Sequence, residues 1–396
     1  TRIVVAMRHP PATGLLLQIA KIMRRLDIAI HRSYADTFAD ASGETAIMSF
    51  YVSHKGDLIL DDSALWQNLR KKLRLVKWFA PHELDILADE EAWPIKRIML
   101  LQAACGFAHV FLAKDNQWAF STQNVVRIVL ARRAETAALV DWFEARFDPT
   151  LGDREAAARR LEADAADAVN GVADERERAV LLMIQRFFRH VLRTNYFLDT
   201  IYGLSFRLDP EFLPDAYRQE GEELPFGIFF FHTPGGLGFH IRYRDMARGG
   251  VRVVPTRTQE QFELESNRLY DEVRRLAYAQ QVKNKDIPEG GAKAVILLEP
   301  MGDVGLAVAS VINSLLDVVL PGQDTPALPG VVDYLGREEI IYCGPDENIQ
   351  PAHIAWMVER ARQRGYRWPS AFMSSKAGAG INHKQYGVTS IGVMVF

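Results

Sequence analysis

Apolar and polar positions alternate along this chain in two different periods, and the changes of period divide it into three regions. Thr1 to His9 is a short β-rich run, after which Leu15, Ile19, Ile22, Met23 and Leu26 recur on one helical face. Two strand-like runs follow, around Ala29 to Phe38 and Thr45 to Val52, separated by the turn formers Asp40, Ser42 and Gly43. Asp62 or Ser63 then starts a second helix that aligns Leu65, Leu69, Leu73 and Val76. From Pro81 to about Thr200 the period is helical, with one stripe at Ile95, Ile98, Leu101 and Cys105. A second stripe holds Val180, Met183, Ile184, Phe187, Phe188 and Val191. The Ala- and charge-rich stretch between them, Asp153 to Arg178, predicts a solvated helix or a mobile connection, weakest near Asn170 and Gly171.

Around Ile201 the pattern turns to β. Gly203 to Leu208, Phe226 to His232 and Leu237 to Tyr243 read as strands, with Thr233 to Gly236 as the turn between the last two. Val295 to Leu298 reads as a buried strand, Val304 to Leu320 as an apolar helix, Ile340 to Cys343 as a strand and Ile354 to Arg364 as a helix. Strands alternating with helices predict an α/β domain with sites at strand ends. The expected class is therefore α/β, in a multi-domain α+β arrangement: residues 1–80, a helical region 81–200, and an α/β domain 201–396.

The richest chemistry lies between Arg248 and Lys293. Gly249 and Gly250 stand beside Arg248 and Arg252, and Gly290 and Gly291 precede Lys293. A helical stretch joins them, with Thr258 and Gln261 at capping-box spacing and Phe262, Leu269, Val273 and Leu276 on one face. Lys283 follows that helix, ten positions ahead of Lys293 across Pro288 and the second Gly pair. Two lysines joined by a tight Gly-rich turn would form an anion site and depress each other's pKa, as a lysine base working near neutrality requires.

Composition narrows the function classes. The 396 residues are 48% apolar and suit two or three domains, and a net charge of −3 gives no electrostatic case for nucleic acid or an anionic membrane. Cys105 and Cys343 belong to no CxxC pair, so neither a metal site nor a disulfide framework is expected, and both read as reduced thiols of a cytoplasmic protein. No signal peptide and no apolar run of about 18 residues is evident, so no membrane span is expected. A start on a strand-like run without Met and an end inside an apolar run read as a segment of something larger.

Three motifs carry a resemblance. KNKDIPEGGAKAVILL (from Lys283), YCGPDEN (Tyr342 to Asn348) and SSKAGAGINHKQYGVTSIGV (Ser374 to Val393) occur in the order found in the substrate domain of the glutamate/leucine/phenylalanine/valine dehydrogenases. The chain is most similar to the large NAD-dependent glutamate dehydrogenases, from about Arg248 to Phe396. The βαββα order of residues 1–80 resembles an ACT-like module, a fold used to sense amino acids or to pack subunits, and packing without a ligand remains open for it.

The resemblance implies roles. Lys293 would be the catalytic lysine, activating water and stabilising the developing carbinolamine, where the plain alternative is a lysine capping a turn. Asp346 would transfer protons, where the alternative is an N-cap for the helix after Pro351. Lys283 would grip the α-carboxylate, or be a solvated helix-end lysine, and Lys285 would stay on the surface. Arg248 stands where smaller relatives carry lysine, and Gly249 and Gly250 would let backbone approach the substrate. Arg252 is equally a second cation or an ion-pair partner. Ser374 would contact substrate and Thr389 would adjoin the dinucleotide, although Ser and Thr in loops usually bond nearby backbone. Ala294 departs from the second Gly that many relatives carry, and Gly378 and Gly380 do not make a nucleotide fingerprint.

The implied reaction is oxidative deamination of L-glutamate to 2-oxoglutarate and ammonium, with hydride transfer to NAD, in a protein that is a homo-oligomer at full length. In the family the nicotinamide-binding domain follows the motif near Thr389, so this chain is expected to carry the substrate half of the cleft and to be inactive alone. Two alternatives are a leucine-, phenylalanine- or valine-type substrate, and a non-catalytic amino-acid-sensing or assembly fragment.

Overall fold

The computed structural model describes residues 1–10, 14–40, 43–78, 82–213, 223–285, 287–321, 328–375 and 386–395, with the side chains of Asp40 and Thr389 excepted. The N-terminal region runs β1 (Arg2–Arg8), α1 (Leu15–Arg25), β2 (Ile28–Asp40), β3 (Gly43–His54) and α2 (Ala64–Leu75). Its strands form an antiparallel sheet in the order β1-β3-β2. The stripe on α1 packs down as its spacing requires, with Leu15, Ile19, Ile22 and Met23 buried. Ser63 caps α2 by accepting from the Trp66 N–H.

The helical region comprises α3 (Asp85–Glu90), α4 (Ile95–Leu112), α5 (Thr122–Ala131), α6 (Arg133–Phe147), α7 (Arg154–Asn170) and α8 (Glu175–His190). Asp153 to Arg178 is mostly regular helix: Asp153 caps α7, Gly171 closes it, and Asp174 caps α8. One helix corrects the reading of apolar runs, since α4 is 18 residues long and apolar enough by composition to cross a membrane. Its apolar residues instead sit in the core, from Ile98 to Phe111.

The β region begins earlier than the sequence pattern implies. Strand β4 (Val191–Thr194) follows α8 directly, and β5 (Leu204–Leu208), β6 (Gly227–Thr233), β7 (Gly236–Arg242) and β8 (Ala247–Pro255) come next. Then come α9 (Gln259–Val282), β9 (Gly290–Leu298), α10 (Val304–Val319), β10 (Tyr342–Pro345), α11 (Pro351–Gln363) and α12 (Val388–Val395). The sheet is mixed, in the order β10-β8-β9-β7-β6-β5-β4. Strands β10, β8 and β9 are parallel to one another, and β9 through β4 pair antiparallel.

Two cores sandwich this sheet. On one face α4, α8 and α9 supply an aromatic cluster in which Phe107 stacks on Phe187 at 4.4 Å and meets Phe230 edge-on at 5.3 Å. Each such side chain contributes about 1.5–3 kcal/mol when fully buried. On the other face α10 and α11 cover Val251, Val253, Ala294, Ile296 and Leu298. Both cysteines are free and buried, and burial pushes each thiol up to about 12.

Both Gly pairs lie in strands, and for Gly290 and Gly291 this replaces the expected turn. Gly290 and Gly291 open β9, and Arg248, Gly249 and Gly250 lie inside β8. A Cβ on Gly291 would stand 2.2 Å from the Ala277 carbonyl oxygen of α9, so the glycine admits the helix rather than bending the chain. Lys293 consequently projects from a buried strand and does not sit at a turn.

Candidate functional site

Strand alternation decides which side chains meet. Val251 and Val253 enter the core beneath α10 and α11, so Gly250 and Arg252 face α9. Val295 and Leu297 enter the α9-side core, so Lys293 shares their face. Arg248 pairs with Gly291 and Val251 with Ala294, an offset that sets Gly250 beside Lys293. On the other flank of β8, Gly344 of β10 pairs with Gly250. Two side-chain-free positions thus lie next to each other, with Lys293 on one side and the end of β10 on the other.

Asp346 follows β10, its backbone N–H held by the Val251 carbonyl at 3.0 Å. Its carboxylate accepts a hydrogen bond from Lys293 Nζ across 53 positions of sequence. Gly250 permits this: a Cβ there would lie 3.0 Å from both Cβ and Oδ2 of Asp346. Gly249 serves strand contact, since a Cβ would fall 1.6 Å from the Ala292 carbonyl oxygen. The pair is partly open, with the Lys293 side chain 8% and that of Asp346 26% exposed. Burial alone would raise the Asp346 pKa, but the hydrogen bond and charge of Lys293, then the Glu347 N–H and Arg252, hold it below the ordinary value of 3.8. Asp346 is not the N-cap of α11, a position taken by Gln350.

Ser374 joins this neighbourhood. Its N–H donates to the Cys343 carbonyl at 2.8 Å, and its Oγ lies 3.3 Å from where a Gly344 Cβ would be. Arg252, left open between two roles, is an ion-pair hub: it reaches Glu272 of α9 at 2.8 Å, Glu347 at 3.2 Å and Asp346 at 3.6 Å. Arg248 pairs with Glu289 at 2.8 Å and lies over the Tyr342 ring at 5.5 Å.

The two lysines ahead of β9 depart from the expected arrangement. Lys283, at the C-cap of α9, is exposed and makes no hydrogen bond or ion pair with any described residue, so it does not join the Lys293–Asp346 contact. Lys285, expected on the surface, has a side chain only 11% exposed. It donates to the Glu289 and Gly290 carbonyls at 3.3 and 3.2 Å and lies 3.8 Å from the Glu289 carboxylate. Burial lowers its pKa, with Glu289 pulling the other way.

Thr389 lies in the first turn of α12, and its side chain is outside the described residues, as are Gly378 and Gly380. Glu272 and Glu289 were not foreseen. Glu289, beside the Gly pair, offered a local signal as a carboxylate among cations; Glu272 offered none. Among the described residues no three His, Cys, Asp or Glu side chains gather as metal ligands.

A buried-strand ammonium and a loop carboxylate beside a strip without side chains suit the head group of a small zwitterion, the class of ligand that amino-acid dehydrogenases handle. Residues 164–315 match the family model described as bacterial NAD-glutamate dehydrogenase, catalytic domain, so the resemblance to that family holds over this segment. The match takes in Arg248, Lys283 and Lys293 and stops short of Asp346 and Ser374. The chain is similar to the NAD-specific glutamate dehydrogenase of Neurospora crassa, 41% identical over 227 residues, which is 56% of this chain and 21% of that protein. It is 38% identical over 229 residues to the NAD-specific glutamate dehydrogenase of Saccharomyces cerevisiae, or 56% of this chain and 20% of that one. The NAD-specific glutamate dehydrogenase of Halomonas elongata is 28% identical over 290 residues, covering 68% of this chain and 17% of that protein. The chain spans about a fifth of the length of the curated relatives it matches.

Proposed function

We propose that this chain carries substrate-binding and catalytic residues of an NAD-dependent glutamate dehydrogenase, which converts L-glutamate to 2-oxoglutarate and ammonium. The observation that carries the reading is the Lys293–Asp346 contact, partly open to solvent beside Gly250 and Gly344. In this reading the glycines admit the substrate backbone, and Ser374 contacts it from the β10 side. Lys283, free of ion pairs with described residues, grips the α-carboxylate, and Arg248 sets the outer wall through Glu289. Bound NAD would supply the acceptor for the hydride leaving Cα. Among the described residues no Gly-rich turn joins a parallel strand to a helix in the manner of a dinucleotide site, so no step is assigned through NAD here. Thr389 is proposed to adjoin it.

The chemistry assigned to the chain is proton management. Lys293 passes its proton to the bonded Asp346 carboxylate, takes one from the water that attacks the imine carbon, and its ammonium then balances charge developing on oxygen. Asp346 then delivers the proton it received from Lys293 to the departing amine and returns to the carboxylate. Residues 1–80 are proposed as an ACT-like module, a reading supported by two helices on a β1-β3-β2 sheet. The full-length protein is proposed to be a cytoplasmic homo-oligomer, in keeping with two unpaired cysteines.

The test is turnover of L-glutamate and L-leucine with NAD by the full-length protein and its Lys293→Ala variant. The reading expects glutamate to be preferred and the variant to lose about 10²–10⁴-fold in kcat with its fold intact. Unchanged kcat in Lys293→Ala, with only effector response or assembly altered, would favour the sensing or assembly reading. A preference for leucine would change the substrate and keep the chemistry.

A further inference from the structure

A cavity of about 490 Å³ opens between the helical region and the far end of the large sheet, a size typical of small-molecule sites. It is separate from the Lys293 site. Glu299 on its wall comes six residues after Lys293, about 20 Å of extended chain. The turn between β6 and β7, the inner faces of α4, α5 and α9, and the segment before α3 complete the enclosure.

The lining is one-sided in charge. Glu83, Glu263 and Glu299 contribute three carboxylates, and among the described residues no Lys or Arg lines the cavity. None of the three forms an ion pair with a described residue, although Glu263 accepts a hydrogen bond from Thr122 Oγ1 at 2.6 Å. Partial desolvation raises the Glu299 pKa, although the residue keeps contact with solvent at the cavity mouth. The cavity also holds two histidines. Burial brings His232 down to about 3 and lowers His82 despite the carboxylates of Asp85 and Glu83, so both rings are neutral at pH 7. His82 Nδ1 accepts from the Leu84 N–H at 3.1 Å. The His232 ring, partly exposed, lines the cavity and makes no hydrogen bond with any described residue. A neutral imidazole of that kind presents an acceptor to an incoming N–H donor.

We propose that this cavity is a second binding site, one for a small organic cation with an ammonium or guanidinium head on a short aliphatic stem. The carboxylates take the charge, His232 accepts an N–H, and Gln102, Gln123 and Gln259 complete the polar contacts. Val126, Leu237 and Phe262 form the wall against which a stem would lie. A metal ion is a poorer occupant, because the carboxylates and histidines do not converge as a ligand set among the described residues. The proposal is independent of the dehydrogenase reading, since it uses none of its residues.

Titration calorimetry of the 396-residue chain with agmatine and with 1,4-diaminobutane tests it, with butanol as the uncharged control. Saturable binding of either amine and none of butanol is expected. Glu299→Gln and Glu263→Gln should each weaken it at least tenfold without changing the circular dichroism spectrum, while Lys293→Ala binds as the parent does. Should either variant misfold, Glu83→Gln, at an exposed residue, should still weaken binding severalfold. No saturable binding at millimolar amine, equal binding of butanol, or affinity indifferent to the Glu substitutions that fold would overturn the proposal.

Discussion

Two charged clusters share the large sheet, and only one is open. At the β5–β7 side Arg207 and Arg242 close on Glu339, and all three side chains are fully buried. Burial, followed by the charges of neighbouring arginines, lowers both guanidinium groups to about 9, which leaves them charged at pH 7. Arg207 also donates to the Phe226 carbonyl at 3.0 Å, and Arg242 donates to the Ile340 carbonyl at 2.6 Å. At the β9–β10 side the Lys293–Asp346 pair has an exposed edge and an empty glycine strip beside it. The sealed cluster ties the irregular segment before β10 to the sheet. Under the proposed function the open one holds a proton where a ligand can reach it. On that proposal burial alone does not mark function, and the deeper ion pair is the structural one.

Stability separates the two most strongly. Glu339→Ala leaves two buried guanidinium groups without their carboxylate and should cost about 3–5 kcal/mol, whereas Asp346→Ala strands one ammonium at the edge of a partly open pair and should cost less. Urea denaturation of both variants measures the gap, and equal losses would erase the distinction.

The two glycines of β8 sharpen it further. Gly249→Ala forces a methyl onto the Ala292 carbonyl, and overpacking of that kind costs about 1–3 kcal/mol. Gly250→Ala meets the movable Asp346 side chain instead, so it should cost less stability than Gly249→Ala and lower kcat more. Thermal unfolding and steady-state rates on the full-length pair check the reversal.

A smaller effect concerns acid. The Asp346 pKa is depressed in the folded state, so the stability it adds is fully present above the unfolded value of about 3.9. It is lost as pH falls through the lower folded value. The Asp346→Asn variant should show a shallower loss of stability than the parent below about pH 4, read from denaturant midpoints across that range. Identical slopes would mean that Lys293 does not hold the carboxylate.

The contrast also explains what could be read from sequence. The mixed α/β character, the caps at Ser63 and Thr258, and the main helices follow from local pattern, because each depends on spacing within one element. The strand placement of Lys293 does not, because Gly290 and Gly291 look like a turn until α9 is known to lie on Gly291. Strand β4 hides in the helical stripe that ends at Val191. Lys285 reads as a surface lysine because its partners, the Glu289 carboxylate and two carbonyls, are set by the fold of the loop. The meeting of Lys293 with Asp346 was legible only through motif order. The Arg207–Glu339–Arg242 cluster had no signal at all, since its members are 35 and 97 positions apart along the chain.

The most direct test of the central claim is a double-mutant cycle on kcat in the full-length protein, using Lys293→Ala, Asp346→Ala and the pair. If the two side chains handle protons as one unit, the double variant should be about as slow as the slower single variant. Losses that multiply, with the double variant slower by the product of the two single effects, would contradict a shared role.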